Sequence, residues 1–437
     1  MTLLRVWQST LRKNPTALAI RDSLRPEGWT RRQLDSQAEE WTRRTAASSA
    51  ELSGRAVFFA EANGAAWFER FLGLLQLGAI PAPLDPGEPL AAQRATAQAA
   101  GGAYFATAER IEPIAGARRR RTSQVALIKT TSGTVGVPRA LPFTAEQMLA
   151  DGRQVALTMG IAPQDQNFAL IPLGHSYGLG NLVMPFLASG TSIVCGSGIL
   201  PHVWAADIKR WAPTVFPAVP PVLAALADSE VSAGDLRSLR VVISAGSPLA
   251  PEVAARFRRR FGRFVHNFYG SSETGGIAYD RTGQCTLTGR SIGRPLRGVR
   301  LRFAPRERFA VESAAVSGGA HRPADRGCLN AKGELVLLGR TGRTVKLSGK
   351  RVDLAEVEKA LQRLPGVSAA VVFLPADSRG LSAAVAGTNL PAPRALAQAL
   401  QPNLAAWKIP RRWISLAALP VTARGKPDAR AIRRLFP

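Results

Sequence analysis

Thr131-Ser132-Gly133-Thr134-Val135-Gly136-Val137-Pro138-Arg139 is the stretch on which the reading of this chain turns. It follows an apolar run, Val125-Ala126-Leu127-Ile128, that reads as a buried strand, so the loop leaves a strand end. Glycines let the backbone approach an anion closely, and Ser and Thr hydroxyls beside bare amides make a concave cradle. No Gly-Lys-Ser/Thr closes the loop, which separates it from the Walker type. Alone, such a stretch is equally a plain turn. Two later phrases give it meaning: Tyr269-Gly270-Ser271-Ser272-Glu273, ahead of Gly275-Gly276, and Gly425-Lys426 near the C-terminus.

Together, these phrases resemble motifs of the adenylate-forming superfamily, which includes acyl- and aryl-CoA synthetases, carrier-protein ligases, peptide-synthetase adenylation domains and luciferases. The resemblance runs nearly end to end. Asn14 to Ile20 and Trp29 to Leu34 are similar to the family's opening segment, and Gly73 to Pro86 to its helix-to-strand crossover. Gly246-Ser247-Pro248-Leu249 resembles the adenine-side loop. Gly339 to Lys346 followed by Ser348-Gly349-Lys350-Arg351-Val352 is similar to the hinge and the loop after it. Leu419 to Lys426 matches the C-terminal lysine motif. Several such matches in order are a poor candidate for chance.

The resemblance implies roles for particular residues. Thr131, Ser132, Gly133, Thr134 and Gly136 would hold the β- and γ-phosphates of ATP, with Arg139 where lysine is common and Val135 where threonine is common. Arginine keeps the charge and adds a fork of donors, while valine loses one hydroxyl. Gly246 and Ser247 would border the adenine, Tyr269 and Gly270 would lie against it, and Ser272 would stand at the α-phosphate. Glu273 would bind Mg²⁺, a hard cation suited to carboxylate and phosphate oxygens. Asp325 and Arg340 would contact the ribose. Lys426 would bridge the carboxylate and the α-phosphate, neutralising the charge that keeps them apart. Gly342 takes the hinge position, and Ser348, Gly349 and Lys350 would line a tunnel for a pantetheine arm. His175, Tyr177 and Gly275 fall where the family places its acid pocket. His175 either gates that pocket or is a satisfied core residue, and Tyr177 to Asn181 tilts the reading towards an aromatic or short acyl acid.

A chain of 437 residues is long enough for two or more domains. The formal net charge of +26 is carried mostly by arginine, with nine lysines among the 57 basic residues. It suits an acidic carrier protein, nucleic acid or anionic lipid, and is equally the solvated surface of an arginine-rich protein. Arg118 to Arg121 precedes the loop strand. Arg258-Arg259-Arg260 lies where Val253, Phe257 and Phe261 repeat at helical spacing, so these arginines are expected to face water. Neither run carries the interleaved aromatics of a single-strand binder, and no helix-turn-helix or zinc pattern is present. The start lacks a basic segment followed by an apolar run, and Cys195, Cys285 and Cys328 form no metal or redox spacing, so a cytoplasmic enzyme is expected. The uncharged stretch from Phe168 to Ala206 is broken by prolines and glycines and reads as a buried αβ segment.

Apolar runs (Ala56 to Ala60, Val125 to Ile128, Ser192 to Val194, Val241 to Ser244) alternate with amphipathic segments, the pattern of α/β layers. Leu296 to Pro323 is short, basic and turn-rich, suggesting small antiparallel strands. Asp353-Leu354-Ala355-Glu356 reads as a capping box opening a helix to about Leu364, and Ala369 to Leu374 as a strand. The expected fold is α/β: a large N-terminal domain of layered β-sheets and helices over 1–341 with a small β-rich part, and a small mobile α+β lid over 342–437. The implied function is ATP-dependent activation of a carboxylic acid as an acyl-adenylate, then transfer to the thiol of CoA or of a carrier protein's phosphopantetheine. Its rivals are a non-catalytic nucleotide-binding homologue, a basic nucleic-acid-binding protein, and an enzyme passing the adenylate to an amine or internal nucleophile.

Overall fold

The computed structural model describes residues 1–45, 49–115, 122, 124–131, 139–340, 344–347, 350–375, 380–422 and 426–436. Two compact units emerge from the packing. One comprises Met1–Arg302, Ala310–His321 and Gly333–Leu335; the other comprises Phe303–Phe309, Arg322–Lys332 and Val336–Pro437.

The first unit is built on a nine-stranded sheet. Val265–Ser271, Val241–Ser244, Val215–Ala218, Gln166–Ala169, Ser192–Cys195 and Leu18–Arg21 lie side by side in that order, all parallel. Gly275–Tyr279 and Arg294–Pro295 extend one edge antiparallel, and Trp29–Thr30 the other. Parallel strands are covered on both faces, which is why Val215–Ala218 and Val241–Ser244 are buried at every residue and read as unbroken apolar runs. The helices Pro201–Trp211, Pro220–Ala227 and Pro251–Phe261 each open on proline, whose missing N–H is no loss in a first turn. A second sheet sets Ile80–Leu84, Ala56–Ala60 and Tyr104–Ala106 parallel, with Ile111–Pro113 antiparallel at its edge.

Most sequence expectations hold here, with instructive exceptions. Ala56–Ala60 and Val241–Ser244 are strands as read. The apolar run before the loop enters its strand only at Leu127 and stays in it through Thr131, pairing antiparallel with Arg139–Phe143. The strands on either side of residues 132–138 therefore pair with each other. On Pro251–Phe261, Arg258 and Arg259 are exposed, but Arg260 is half-buried and donates to the Val231 and Ala227 carbonyls. Its charge ties the helix down instead of facing water. Val311 and Glu312 pair antiparallel with His321 and Ala320, the small strands expected there.

The second unit carries the hairpin Thr344–Leu347 and Lys350–Asp353, then the helix Leu354–Gln362. Asp353 caps that helix by accepting from the Ala355 N–H at 3.0 Å. Ala369–Phe373, Ser382–Ala386 and Arg412–Leu416 form a three-stranded sheet. Val352, Val357, Leu361, Val372 and Val385 pack as its core.

Candidate active site

The parallel sheet explains why phrases far apart in sequence meet. Ala218 is in register with Ser244, and Ser244 with Asn267. The loops leaving the C-terminal ends of these strands therefore lie together. They carry Val219, then Gly246-Ser247, then the turn at Ser272 and Glu273, Tyr269 itself lying in the last of these strands. Gly246 has φ +90°, a conformation that favours glycine and allows the tight exit from its strand.

Tyr269, Gly270 and Ser271 end one strand of a hairpin, Ser272, Glu273 and Thr274 turn it, and Gly275 opens the other. The pairing runs Tyr269↔Ala278, then Gly270↔Gly276 and Ser271↔Gly275, with a register shift between the first two pairs. That shift demands small residues. A Cβ on Gly270 would stand 2.4 Å from the Gly275 carbonyl oxygen. Inside the turn, the Ser271 and Thr274 hydroxyls are 3.1 Å apart and Thr274 donates to the Gly275 carbonyl at 3.0 Å. Ser272 and Glu273 are half-buried at the tip.

Of the residues expected at an acid pocket, Tyr177 packs on Phe268 of this hairpin, ring centroids 5.8 Å apart. Burial pushes its phenol well above the ordinary range, so it stays protonated. His175 Nε2 lies 3.5 Å from Asp85 Oδ2, just past the strand Ile80–Leu84. The histidine thus has a carboxylate partner supplied by the second sheet.

Two charged residues that the sequence reading passed over stand inside this region. Lys129 is 1% exposed, with its ammonium 4.2 Å from the centre of the Phe143 ring. Asp151, on the helix Ala145–Met159, is 3% exposed and accepts from the Gly276 N–H at 2.9 Å. Burial pushes the Lys129 ammonium down, opposed by the charges of Asp151 and Glu273. It pushes the Asp151 carboxyl up, opposed by Lys129 and the Gly276 N–H. A signal existed: Asp151 falls at helical spacing from Met148 and Val155, on the stripe that faces the core.

Of the remaining expected residues, Thr131 ends its strand opposite Arg139, and Arg139 is exposed. Ser132, Gly133, Thr134, Gly136 and Val135 lie outside the described residues, as do Gly342, Ser348, Gly349 and the Arg118–Arg121 run. In the second unit, Asp325 opens the strand Asp325–Leu329, Arg340 ends Leu335–Arg340, and Lys350 opens Lys350–Asp353. Lys426 is exposed; its carbonyl accepts from the Thr422 N–H at 2.8 Å, and Val421 bridges Pro427. A local backbone clasp therefore fixes the position of this lysine.

The AMP-binding enzyme family matches residues 106–307, the segment that holds the loop hairpin and the Tyr269–Glu273 turn. That segment is similar to the AMP-binding enzymes of the adenylate-forming superfamily. Among curated relatives of this superfamily, phenyloxazoline synthase MbtB of Mycolicibacterium paratuberculosis is 29% identical over 71% of this chain and 30% of its own length. The p-hydroxybenzoic acid–AMP ligase FadD22 of Mycobacterium tuberculosis is 28% identical over 70% of this chain and 48% of its own. The chain thus spans less than half the length of either. The structure of ATP-bound MatB from Rhodopseudomonas palustris shares the fold, with a TM-score of 0.84 at 18% identity, covering 100% of this chain and 99% of that one. Among the described residues, no helix is long and apolar enough to cross a membrane.

Proposed function

We propose that the chain is an ATP-dependent acid–thiol ligase working through an acyl-adenylate. One observation carries the reading. The Gly246-Ser247 loop and the Tyr269–Glu273 turn leave the C-terminal ends of adjacent parallel strands, where open α/β sheets bind nucleotides. Tyr177, packed on Phe268 of the same hairpin, and Gly275, which opens its second strand, support an acid pocket beside the nucleotide.

In the first step a carboxylate oxygen bonds to the α-phosphorus of ATP and pyrophosphate leaves. Two anions must meet, so the chain's contribution is fixed positive charge and orientation more than a base. Arg139 and the 132–136 loop would hold the leaving phosphates. Tyr269 would lie against adenine, Ser272 at the α-phosphate, and Asp325 and Arg340 at the ribose. Lys426 would bridge the reacting oxygens. Glu273, a half-buried carboxylate on an open turn, fits the single protein ligand that Mg²⁺ takes when phosphates supply the other oxygens. The ion would supply charge neutralisation on those phosphates.

In the second step a thiol sulfur bonds to the adenylate carbonyl and AMP leaves. Residues 342–437 would act as a lid turning about Gly342, exchanging Lys426 for the 348–350 loop that admits a pantetheine thiol. The p-hydroxybenzoic acid ligase among the relatives supports an aromatic acid. Pyrophosphate release with ATP and Mg²⁺ across benzoates, cinnamates and fatty acids, without thiol, tests the first step. Release with one acid class is expected, and silence from folded protein would overturn the reading. CoA and a holo-carrier protein, added in turn, then identify the acceptor.

A further inference from the structure

We propose that Asp151 is a positioning residue that braces the two segments assigned to the acid pocket, the turn at Gly180 and the strand at Gly275-Gly276. The inference rests on the ligase reading above. Three elements meet at this one carboxylate. Asp151 lies on the helix Ala145–Met159, Gly180 in the π-helical turn Leu179–Val183, and Gly275 and Gly276 at the start of the strand Gly275–Tyr279.

The π-helical turn interrupts a helical run from Ser176 to Ser189, and every residue in it is buried. Such turns are rare and frequently sit at functional sites. It meets the helix Ala145–Met159 through glycine. A Cβ on Gly152 would stand 2.4 Å from the Met184 Cβ, and one on Gly180 would stand 2.7 Å from Asp151 Oδ2. On its other side the carboxylate meets the strand. A Cβ on Gly275 would stand 2.2 Å from Asp151 Oδ1, and Oδ1 accepts the Gly276 N–H at 2.9 Å. One oxygen therefore abuts each segment. Gly276 has no space to shift towards its neighbours, since a Cβ there would stand 2.6 Å from Leu296 and 2.8 Å from Phe268.

The two segments touch directly where Tyr177 packs on Phe268, and Asp151 ties them a second time. Truncating Asp151 removes that second tie. It also leaves the buried Gly276 N–H without its acceptor, which costs the desolvation of that group. The strand start at Gly275-Gly276 then relaxes against the turn, and the space between them loses its set width. Position matters here more than charge. Asparagine keeps an oxygen in the same place to accept from Gly276, whereas alanine does not. Gly180→Ala probes the other face, because its methyl can enter only by displacing Oδ2.

The test measures KM for the acid and for ATP by pyrophosphate release, with the acid that the wild type uses best. It compares Asp151→Ala, Asp151→Asn, Gly180→Ala and the double variant Gly180→Ala with Asp151→Ala. Asp151→Ala is expected to raise KM for the acid about tenfold with KM for ATP within about twofold, as for a buried donor left without its acceptor. Asp151→Asn is expected to stay within about threefold of wild type in both, because the acceptor is kept. Gly180→Ala is expected to raise KM for the acid by a similar factor, and to add less than about twofold once Asp151 is alanine, the non-additivity of residues in contact. Unchanged acid KM in Asp151→Ala, equal rises in both KM values, or additive effects in the double variant would overturn the brace. An Asp151→Asn variant as impaired as Asp151→Ala would overturn it too and assign the effect to the charge. If Asp151→Ala does not fold, a near-normal Asp151→Asn with a raised acid KM in Gly180→Ala supports the brace, and any other pairing overturns it. Silence of the wild type across the acid panel overturns the ligase reading and the brace together, whereas an active wild type with indifferent variants overturns the brace alone.

Discussion

Lys426 shows how much a single residue's meaning depends on its setting. It is an exposed lysine, and surface lysines are ordinarily solvated charges. Its backbone is nonetheless held by the clasp to Thr422 and by the Val421–Pro427 bridge. If it neutralises the two reacting anions, Lys426→Ala lowers pyrophosphate release by about 10²- to 10³-fold, the usual cost of losing one preorganised charge partner. Thiolysis of a synthetic acyl-adenylate should persist, and equal loss in both assays would remove the assignment. Gly275 makes a stability prediction of the same kind. At φ +69°, with Asp151 Oδ1 2.2 Å from where a Cβ would sit, Gly275→Ala combines backbone strain with a clash. A loss of about 1–3 kcal/mol in urea unfolding is expected, because the buried carboxylate has nowhere to go. The motif residues stand out in the sequence because the chemistry that the resemblance implies for them demands particular types: glycine at close approaches, hydroxyls and charge at phosphates. Asp151 sits at core-facing spacing in the sequence, but its meaning appears only when the Gly276 N–H that it holds from another element is seen. The partner of His175 was hidden for the same reason, since Asp85 reaches it from a different sheet.

At the scale of elements, the N-terminal ends of three neighbouring parallel strands are tied by one carboxylate. Asp165 precedes Gln166–Ala169, Thr214 precedes Val215–Ala218, and Arg240 precedes Val241–Ser244. Asp165 accepts from Arg240 Nε and from the Thr214 hydroxyl, each at 2.7 Å, and from the Ala162 N–H at 2.8 Å. Burial alone would push this carboxyl up, but those hydrogen bonds outweigh it and hold it below the ordinary aspartate value. A carboxyl depressed in the folded state adds stability at every pH above its unfolded value. That stability is lost as pH falls through the lower folded value. Asp165→Asn should therefore cost about 2 kcal/mol at neutral pH, as for a charged hydrogen-bonded group. Its melting temperature should converge on that of the wild type in strong acid, and a gap that widens on acidification would contradict the assignment. The alternation of apolar runs made these strands legible. The order in which they lie was not, because neighbours in the sheet are set by crossovers that leave no local mark. The same limit explains why the strand before the loop was read without its antiparallel return.

For the whole molecule, the question is what a formal charge of +26 does. Part of it is structural. Arg31 donates to the Thr10, Asn14 and Gly190 carbonyls, Arg260 to those of Ala227 and Val231, and Arg326 pairs with Glu307 and Asp353. The exposed remainder, Arg258 and Arg259 among it, creates a field that reaches about one Debye length, roughly 10 Å at 0.1 M salt. Such a field accelerates encounter with a large acidic partner more than it strengthens the final contact. CoA brings a few phosphates, whereas an acidic carrier protein brings a whole charged surface, so the two acceptors should differ in salt dependence even where rates at one ionic strength agree. With acid and ATP saturating, kcat/KM for an acidic holo-carrier protein should fall about tenfold between low and physiological salt, within the range of electrostatic steering. That for CoA should fall less, and the difference should sit in the association rate. Parallel slopes for the two acceptors would assign the arginines to the surface at large and show that charge does not choose the thiol.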